Sequence, residues 1–214
     1  MKKEFILACR TTILQAHSLT GYDMSLYRCD FADVLPVIQE GVILGQREAL
    51  EKDPSFRQIL PYVVMAKTED GKTKVFAYRR GKGVGEARLS GNVSIGIGGH
   101  IDLADVVADE SEVKVMDTIL RAMSRELAEE VVLEDAGEEL QLGSLGILLD
   151  NSNAVGQCHM GMVILATMPE AAKVQCREEE LETLGFMAPQ ELLESGLPLE
   201  NWTRILCEHI VAAE

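Results

Sequence analysis

The chain has 214 residues and a formal charge of −15, from 20 lysines and arginines against 35 aspartates and glutamates. With 47% hydrophobic and 26% charged residues it can bury a core and is not a disordered polymer. A surface this acidic repels phosphate backbones, which excludes nucleic acid as the main partner. Any phosphate-bearing ligand must be met by local cations or by metal ions. The longest apolar stretch, near Met160–Met168, is about half of what a membrane span needs. The start Met-Lys-Lys resembles a signal peptide, but Glu4 and Arg10 cut its apolar part too short. No membrane partner is expected, and the protein reads as cytoplasmic. Cys9, Cys29, Cys158, Cys176 and Cys207 form no CxxC pair and are odd in number. They read as free thiols of a reducing compartment.

In chain order, residues 1–60 are mixed. Asp33–Gln39 reads as a helix or loop interrupted by Pro36. Gln46–Lys52 has helical composition and stops before Asp53-Pro54, because the residue before proline is pushed out of the helical region. Two β-rich runs, Tyr62–Lys67 and Lys74–Arg79, flank Glu69-Asp70-Gly71 and predict a hairpin. Residues 81–99 are glycine-dense and predict a loop, then a strand Val93–Ile97 that ends at Gly98-Gly99. Val113, Met116, Ile119, Leu120, Met123 and Leu127 recur at three- and four-residue steps and predict a helix over Ser111–Val131. Strands are expected at Leu142–Leu149 and Met160–Thr167, with the turn cluster Asp150-Asn151-Ser152-Asn153 between them. The tail predicts an amphipathic helix around Trp202, Ile205, Leu206, His209 and Ile210. No repeat or linker interrupts the chain, so one α/β or α+β domain is expected. Residues 1–60 would be an extension, 61–170 the core and 171–214 a C-terminal segment.

The segment that carries chemistry is Arg125-Glu126-Leu127-Ala128-Glu129-Glu130-Val131-Val132-Leu133. Its three glutamates stand at i, i+3 and i+4, which share one helix face. Like charges so close repel unless water or cations neutralise them, and hard divalent cations take oxygen ligands of this kind. Upstream, Gly98-Gly99 lets a backbone carbonyl approach a metal or phosphate closely.

These residues resemble the Nudix box, G-x5-E-x7-R-E-U-x-E-E-x-G-U, where U is bulky and apolar. Gly99, Arg125, Glu126, Leu127, Glu129, Glu130 and Leu133 match, and Ala122 sits where the family packs a small residue. The likeness covers roughly residues 60–210. Gln58-Ile-Leu-Pro-Tyr and Ser94-Ile-Gly-Ile-Gly-Gly-His-Ile resemble a bacterial and phage subgroup of MutT-like phosphoesterases. The resemblance implies an α+β fold, an α/β/α sandwich with a mixed central sheet and the box helix packed against it. It implies Mg²⁺ or Mn²⁺ held by Glu126, Glu129, Glu130 and the Gly99 carbonyl. It implies hydrolysis of a phosphoanhydride in a nucleoside diphosphate linked to another group. Proteins of this family are often dimers, so a homodimer is an option, with residues 1–60 as one source of its interface. The alternative is a Nudix-like module that binds a nucleotide as a sensor.

Two departures stand out. The family glutamate eight residues before the arginine is Asp117, and Gly99 to Asp117 is about twelve residues too long. The excess is assigned to His100–Ser111, expected as a surface loop bordering the site. The glycine that ends the box helix in a left-handed turn is Val132. Arg125 is expected to make structural ion pairs, with Asp117 as a partner of the box. Arg79, Arg80, Lys82 and Arg88 are concentrated before the box, and arginine suits bidentate phosphate contact. Arg79 or Arg80, with Arg88, is expected to hold substrate, and His100 is a further candidate for a phosphate contact. His159 is expected to pack in the core or on a sheet face. Glu178–Glu182 contains candidates for an extra carboxylate.

Overall fold

A computed structural model describes residues 4–19, 24–81, 90–110, 112–136 and 140–213. The first part of the chain forms β1 (Phe5–Arg10), α1 (Thr11–Ala16), β2 (Met24–Tyr27), α2 (Phe31–Gly41), β3 (Val42–Gln46) and α3 (Arg47–Leu50). The hairpin strands β4 (Phe56–Glu69) and β5 (Lys72–Arg80) follow, then the short β6 (Val93–Ser94), β7 (Gly96–Ile97), β8 (Ala108–Asp109) and β9 (Glu112–Val113). Helix α4 (Val115–Glu130) runs into β10 (Val131–Glu134). The chain ends with β11 (Gln141–Asp150), β12 (His159–Thr167), β13 (Lys173–Cys176), β14 (Leu181–Met187), α5 (Pro189–Glu194) and α6 (Asn201–Val211). The fold is α+β, a mixed sheet with helices, as expected. The chain divides into two compact units, each drawn from three stretches.

The first unit comprises Met1–Tyr62, Gly98–Arg125 and Ser144–Val163. The described residues before position 61 belong to this unit together with later segments. β1 pairs antiparallel with both β3 and β4. Ile6, Ala8 and Leu50 form a core cluster on which Ile43 and Phe56 pack. Helix α2 is continuous, although an interruption at Pro36 was expected. Pro36, the sixth of eleven helical residues, removes one backbone hydrogen bond, and the helix continues past it. Asp30 caps the start through Ala32 N–H, and Phe31, Val34 and Ile38 bury its apolar face. The segment expected as a surface loop after the double glycine is largely anchored. Leu7 N–H donates to Ile101 O at 3.0 Å, and Ile101 is 0% exposed. A 3-10 turn Leu103–Asp105 and the β8–β9 hairpin complete it; Ser111 lies outside the described residues.

The second unit comprises Val63–Ile97, Glu126–Gly143 and Ile164–Glu214. Glu69 pairs with Lys72 across the two-residue Asp70-Gly71 turn, whose φ values of 52° and 73° are the left-handed pair that such hairpins need. β5 also pairs with β14 and β6. The expected strand Val93–Ile97 is split: β6 pairs with β5, and β7 pairs with β4. The change of partner falls at buried Ile95, whose N–H donates to Thr203 Oγ1 at 3.2 Å in α6.

The box helix begins at Val115 and ends at Glu130, shorter than the Ser111–Val131 expected, because Val113 and Val131 belong to strands. The missing glycine has a structural substitute. Val131–Glu134 passes directly into pairing with β13, and the terminal carbonyl of Glu130 accepts from Arg177 N–H at 2.7 Å. A helix end satisfied this way does not need a left-handed residue. Val132→Gly is therefore expected to cost about 1 kcal/mol, as glycine does within a strand. Urea denaturation checks this, and a more stable variant would restore the glycine cap.

Candidate active site

The buried positions of α4 are Val115, Ile119, Ala122, Met123 and Leu127, at three- and four-residue steps. Glu126 lies among them and is 8% exposed, Glu129 is exposed, and Glu130 is half-buried. Glu130 Oε2 is buried without a hydrogen-bond partner. Burial pushes the Glu130 carboxyl up to about 7; Arg80 pulls it down, while Glu126, Glu178 and Glu129 push it further up. A carboxylate left orphaned among three others is the local instability that a hard cation relieves. The all-oxygen donor set fits Mg²⁺ or Mn²⁺. Among the described residues no three His, Cys, Asp or Glu side chains converge as a finished metal cage. The helix arrays donors on one face without closing around a point. Of the acidic run Glu178–Glu182, the charge of Glu178 is the one felt at Glu130.

Arg125 makes the structural ion pair expected of it, and its acidic partner is Asp105. Its Nε donates to Asp105 Oδ1 at 3.0 Å and its Nη2 to Asp105 Oδ2 at 2.8 Å. The same Nη2 donates to the His100 carbonyl at 3.0 Å. Asp105 is 3% exposed. Burial alone would raise its carboxyl, but the bonds from Arg125 and from Asp102 N–H hold it below the usual value. Asp117, expected as a structural partner of the box, is exposed on the first turn of α4. Asp105 stands six positions after Gly99, which is the box spacing with aspartate for glutamate. From Asp105 to Arg125 is 125 − 105 = 20 positions where the box has 8, so the twelve extra residues follow the acid instead of preceding it. They include the β8–β9 hairpin. Thr118 Oγ1 ties that hairpin to the helix by accepting from Val107 N–H at 3.0 Å.

Gly98 cannot carry a side chain, since a Cβ there would lie 1.8 Å from the Pro61 carbonyl oxygen. His100 faces inward. Its Nε2 is 2.7 Å from Gln58 Oε1 and 3.4 Å from His159 Nε2. Burial, then Arg47 and His159, push its pKa down to about 3. Burial thus disfavours the charged form of the ring. Its neighbours Arg57 and Gln58, at the start of β4, were missed in sequence. Two consecutive polar residues inside a strand that is otherwise apolar were the available signal.

Arg79 and Arg80 point apart, as strand alternation requires. Arg79 Nη1 donates to exposed Glu182 at 2.9 Å. Arg80 Nε donates to buried Glu200 at 2.6 Å, and its Nη2 to Tyr78 Oη at 3.1 Å. Lys82 and Arg88 lie outside the described residues. Arg80 is thus part of the framework, and Arg79 is the cation nearer solvent.

No protein-family model matches the chain. Protein YmaB of Bacillus subtilis is 30% identical over 210 residues, which cover 97% of each protein. The chain belongs to the YmaB family. Among solved structures, Tm1382, which is classed provisionally as a Nudix hydrolase, superposes with a TM-score of 0.74 at 22% identity, covering 99% of this chain and 100% of its own. The fold of this YmaB-family chain is accordingly the Nudix fold. A Nudix hydrolase from Alicyclobacillus acidocaldarius covers 73% of the chain and 91% of its own at 14% identity, with a TM-score of 0.47. Among the described residues of this YmaB-family chain, no helix is long and apolar enough to cross a membrane.

Proposed function

We propose that the protein is a metal-dependent hydrolase that cleaves a phosphoanhydride bond in a nucleoside diphosphate linked to another group. The observation that carries this reading is the orphaned Glu130 Oε2 beside Glu126, Glu129 and Glu178. A cluster that costs stability when empty suits a protein that works with a cation in place. Glu126, Glu129 and Glu130 would hold Mg²⁺ or Mn²⁺, with Glu178 as the first choice for an added carboxylate. A bound cation supplies charge neutralisation at the phosphates and a more acidic water.

The other roles belong to the chain itself. Arg125, clamped on Asp105 and the His100 carbonyl, holds the segment after the double glycine in one conformation. Such prior ordering removes entropy that substrate binding would otherwise have to overcome. Arg80 offsets the negative field at Glu130 while held by Glu200. Arg79, whose exposed partner Glu182 competes only weakly in water, is the described cation best suited to exchange onto a substrate phosphate. Arg88 remains a second substrate contact by its place in the sequence.

The test is a screen of nucleoside triphosphates, nucleotide sugars, ADP-ribose, dinucleoside polyphosphates and NADH with Mg²⁺ and with Mn²⁺. Release of a nucleoside monophosphate from at least one, abolished by chelation, is expected. Folded protein that turns over none of them with either ion would refute the reading. Once a substrate is known, Arg79→Ala should raise KM roughly tenfold, as losing a charge-assisted contact of about 1.5 kcal/mol does, without lowering the melting temperature. Arg80→Ala should instead destabilise the protein by about 3 kcal/mol, because it strands the Glu200 charge in a buried site. Equal effects of the two variants on KM and on stability would contradict this division of roles.

A further inference from the structure

We propose that β3 is a self-association edge: two copies of the chain pair their β3 strands antiparallel about a two-fold axis at Leu44, so that the β1–β3 ladder continues into the second copy. Among the described strands, β3 pairs with β1 alone. Its open backbone groups follow from its neighbours. Leu7, the partner of Leu44, gives its N–H to Ile101 O at 3.0 Å and so bonds away from β3. Arg47 N–H donates to Glu4 O at 3.0 Å and so bonds toward β1. Bonded and non-bonded pairs alternate along an antiparallel ladder. Ile43 and Gly45 therefore bond toward β1, while Val42, Leu44 and Gln46 present N–H and C=O outward. These outward positions are symmetric about Leu44. An antiparallel second copy sets Val42 of one chain against Gln46 of the other and Leu44 against Leu44. Every outward N–H of both copies then finds a carbonyl.

The chemistry of the strand suits a copy of the same acidic chain. Val42-Ile43-Leu44-Gly45-Gln46 carries neither charge nor proline, the devices by which an exposed edge ordinarily repels pairing. Glu40 precedes the strand and Arg47 follows it. Antiparallel alignment brings the Glu40 end of one copy beside the Arg47 end of the other, whereas parallel alignment sets like against like. Glu48, which comes opposite Glu40 of the other copy, is already paired with Lys52 at 3.0 Å. Exposed apolar side chains gather here as well. Leu44 is 37% and Phe5 40% exposed. Both lie on one face of the ladder, because Phe5 pairs with Gln46, the next same-face residue after Leu44. The other face turns Ile43 onto the Ile6, Ala8 and Leu50 cluster. Leu103, 57% exposed, follows Asp102, which bridges to Ile6. Self-pairing covers Leu44 with its own counterpart and closes the contact, as a two-fold does. A foreign strand would have to match this spacing, while a second copy supplies it by symmetry.

The test is sedimentation equilibrium of the full chain over a range of concentrations, in about 0.15 M salt to screen repulsion between the acidic copies. A dimer is expected. Leu44→Pro deletes an outward N–H in each copy without touching the β1 ladder, a change that edge strands tolerate. It should raise the dimer dissociation constant at least about tenfold, because a hydrogen bond is lost on both sides of the axis. Leu44→Lys sets like charges against each other on the axis. It should weaken the dimer similarly, with an unchanged circular dichroism spectrum. Leu142→Lys, at a leucine 44% exposed outside this patch, should leave the dimer intact. Should Leu44→Pro fail to fold, cross-linking decides the register. Leu44→Cys chains should join through position 44 in oxidised glutathione, since facing Cα atoms about 5.5 Å apart are within disulfide reach. The parent, with its five free thiols, is the reference. A chain that stays monomeric at every concentration overturns the second copy and leaves the edge to an extended segment of another protein. A dimer that survives both Leu44 substitutions, or Leu44→Cys chains that join no faster than the parent, would overturn it equally. None of these outcomes depends on hydrolytic activity.

Discussion

Glu126→Gln and Glu130→Gln are each expected to lower Mg²⁺-dependent turnover on the order of 100-fold or more while the fold persists. The magnitude follows from position: loss of a supporting partner around a metal already costs 10- to 100-fold, and these residues would be ligands. Their packing predicts a second, opposite effect. Glu126 is buried on the apolar side of α4, and Glu130 Oε2 has no partner. Removing one charge from the cluster relieves repulsion, so each variant should melt higher than the parent in EDTA. Saturating Mg²⁺ should raise the melting temperature of the parent, as any ligand selective for the folded state does, and should do so less for the variants. Parent-like turnover in either variant would end the assignment of these glutamates. A parent melting temperature indifferent to Mg²⁺ and Mn²⁺ would remove the metal site itself.

The second large effect concerns the Asp105–Arg125 pair. Arg125→Ala leaves Asp105, 3% exposed, as an uncompensated buried charge, and Asp105→Ala strands a half-buried guanidinium. Each should cost about 3 kcal/mol, the lower end for breaking a buried pair. Asp117→Ala, on the exposed first turn of α4, should stay within about 0.5 kcal/mol. The double variant Asp105→Ala/Arg125→Ala should be less damaging than the sum of the two single ones, because no charge is left alone. The pH dependence has a definite sign. The folded Asp105 carboxyl is held below its usual value, so its contribution is present above about pH 4 and is lost as pH falls through the folded value. Asp105→Asn should lack that component. Urea denaturation in which Asp117→Ala proves costlier than Asp105→Ala would return the box acid to Asp117.

The sequence alone carried the local features whose signals are themselves local. The Asp70-Gly71 hairpin was legible because positive φ at both turn residues has a strong composition bias. The box helix was legible because its apolar residues recur at helical steps, and the three glutamates because i, i+3 and i+4 share a face.

Tertiary structure decided what depends on partners remote in sequence. Strands β1 to β3 lack a clean period-two pattern, and their identity comes from pairing with one another and with β4 or β11. The acid that clamps Arg125 is twenty positions away, and an inserted hairpin hid it until the guanidinium geometry selected Asp105 over Asp117. The end of the box helix follows from a backbone N–H 47 residues downstream, that of Arg177 on Glu130 O. His100, Gln58 and His159 converge only because strand and loop bring together positions up to a hundred residues apart. Helical and turn preferences act between neighbours along the chain, whereas ion pairs, shared ladders and buried polar clusters act between neighbours in space, and only the folded chain specifies those.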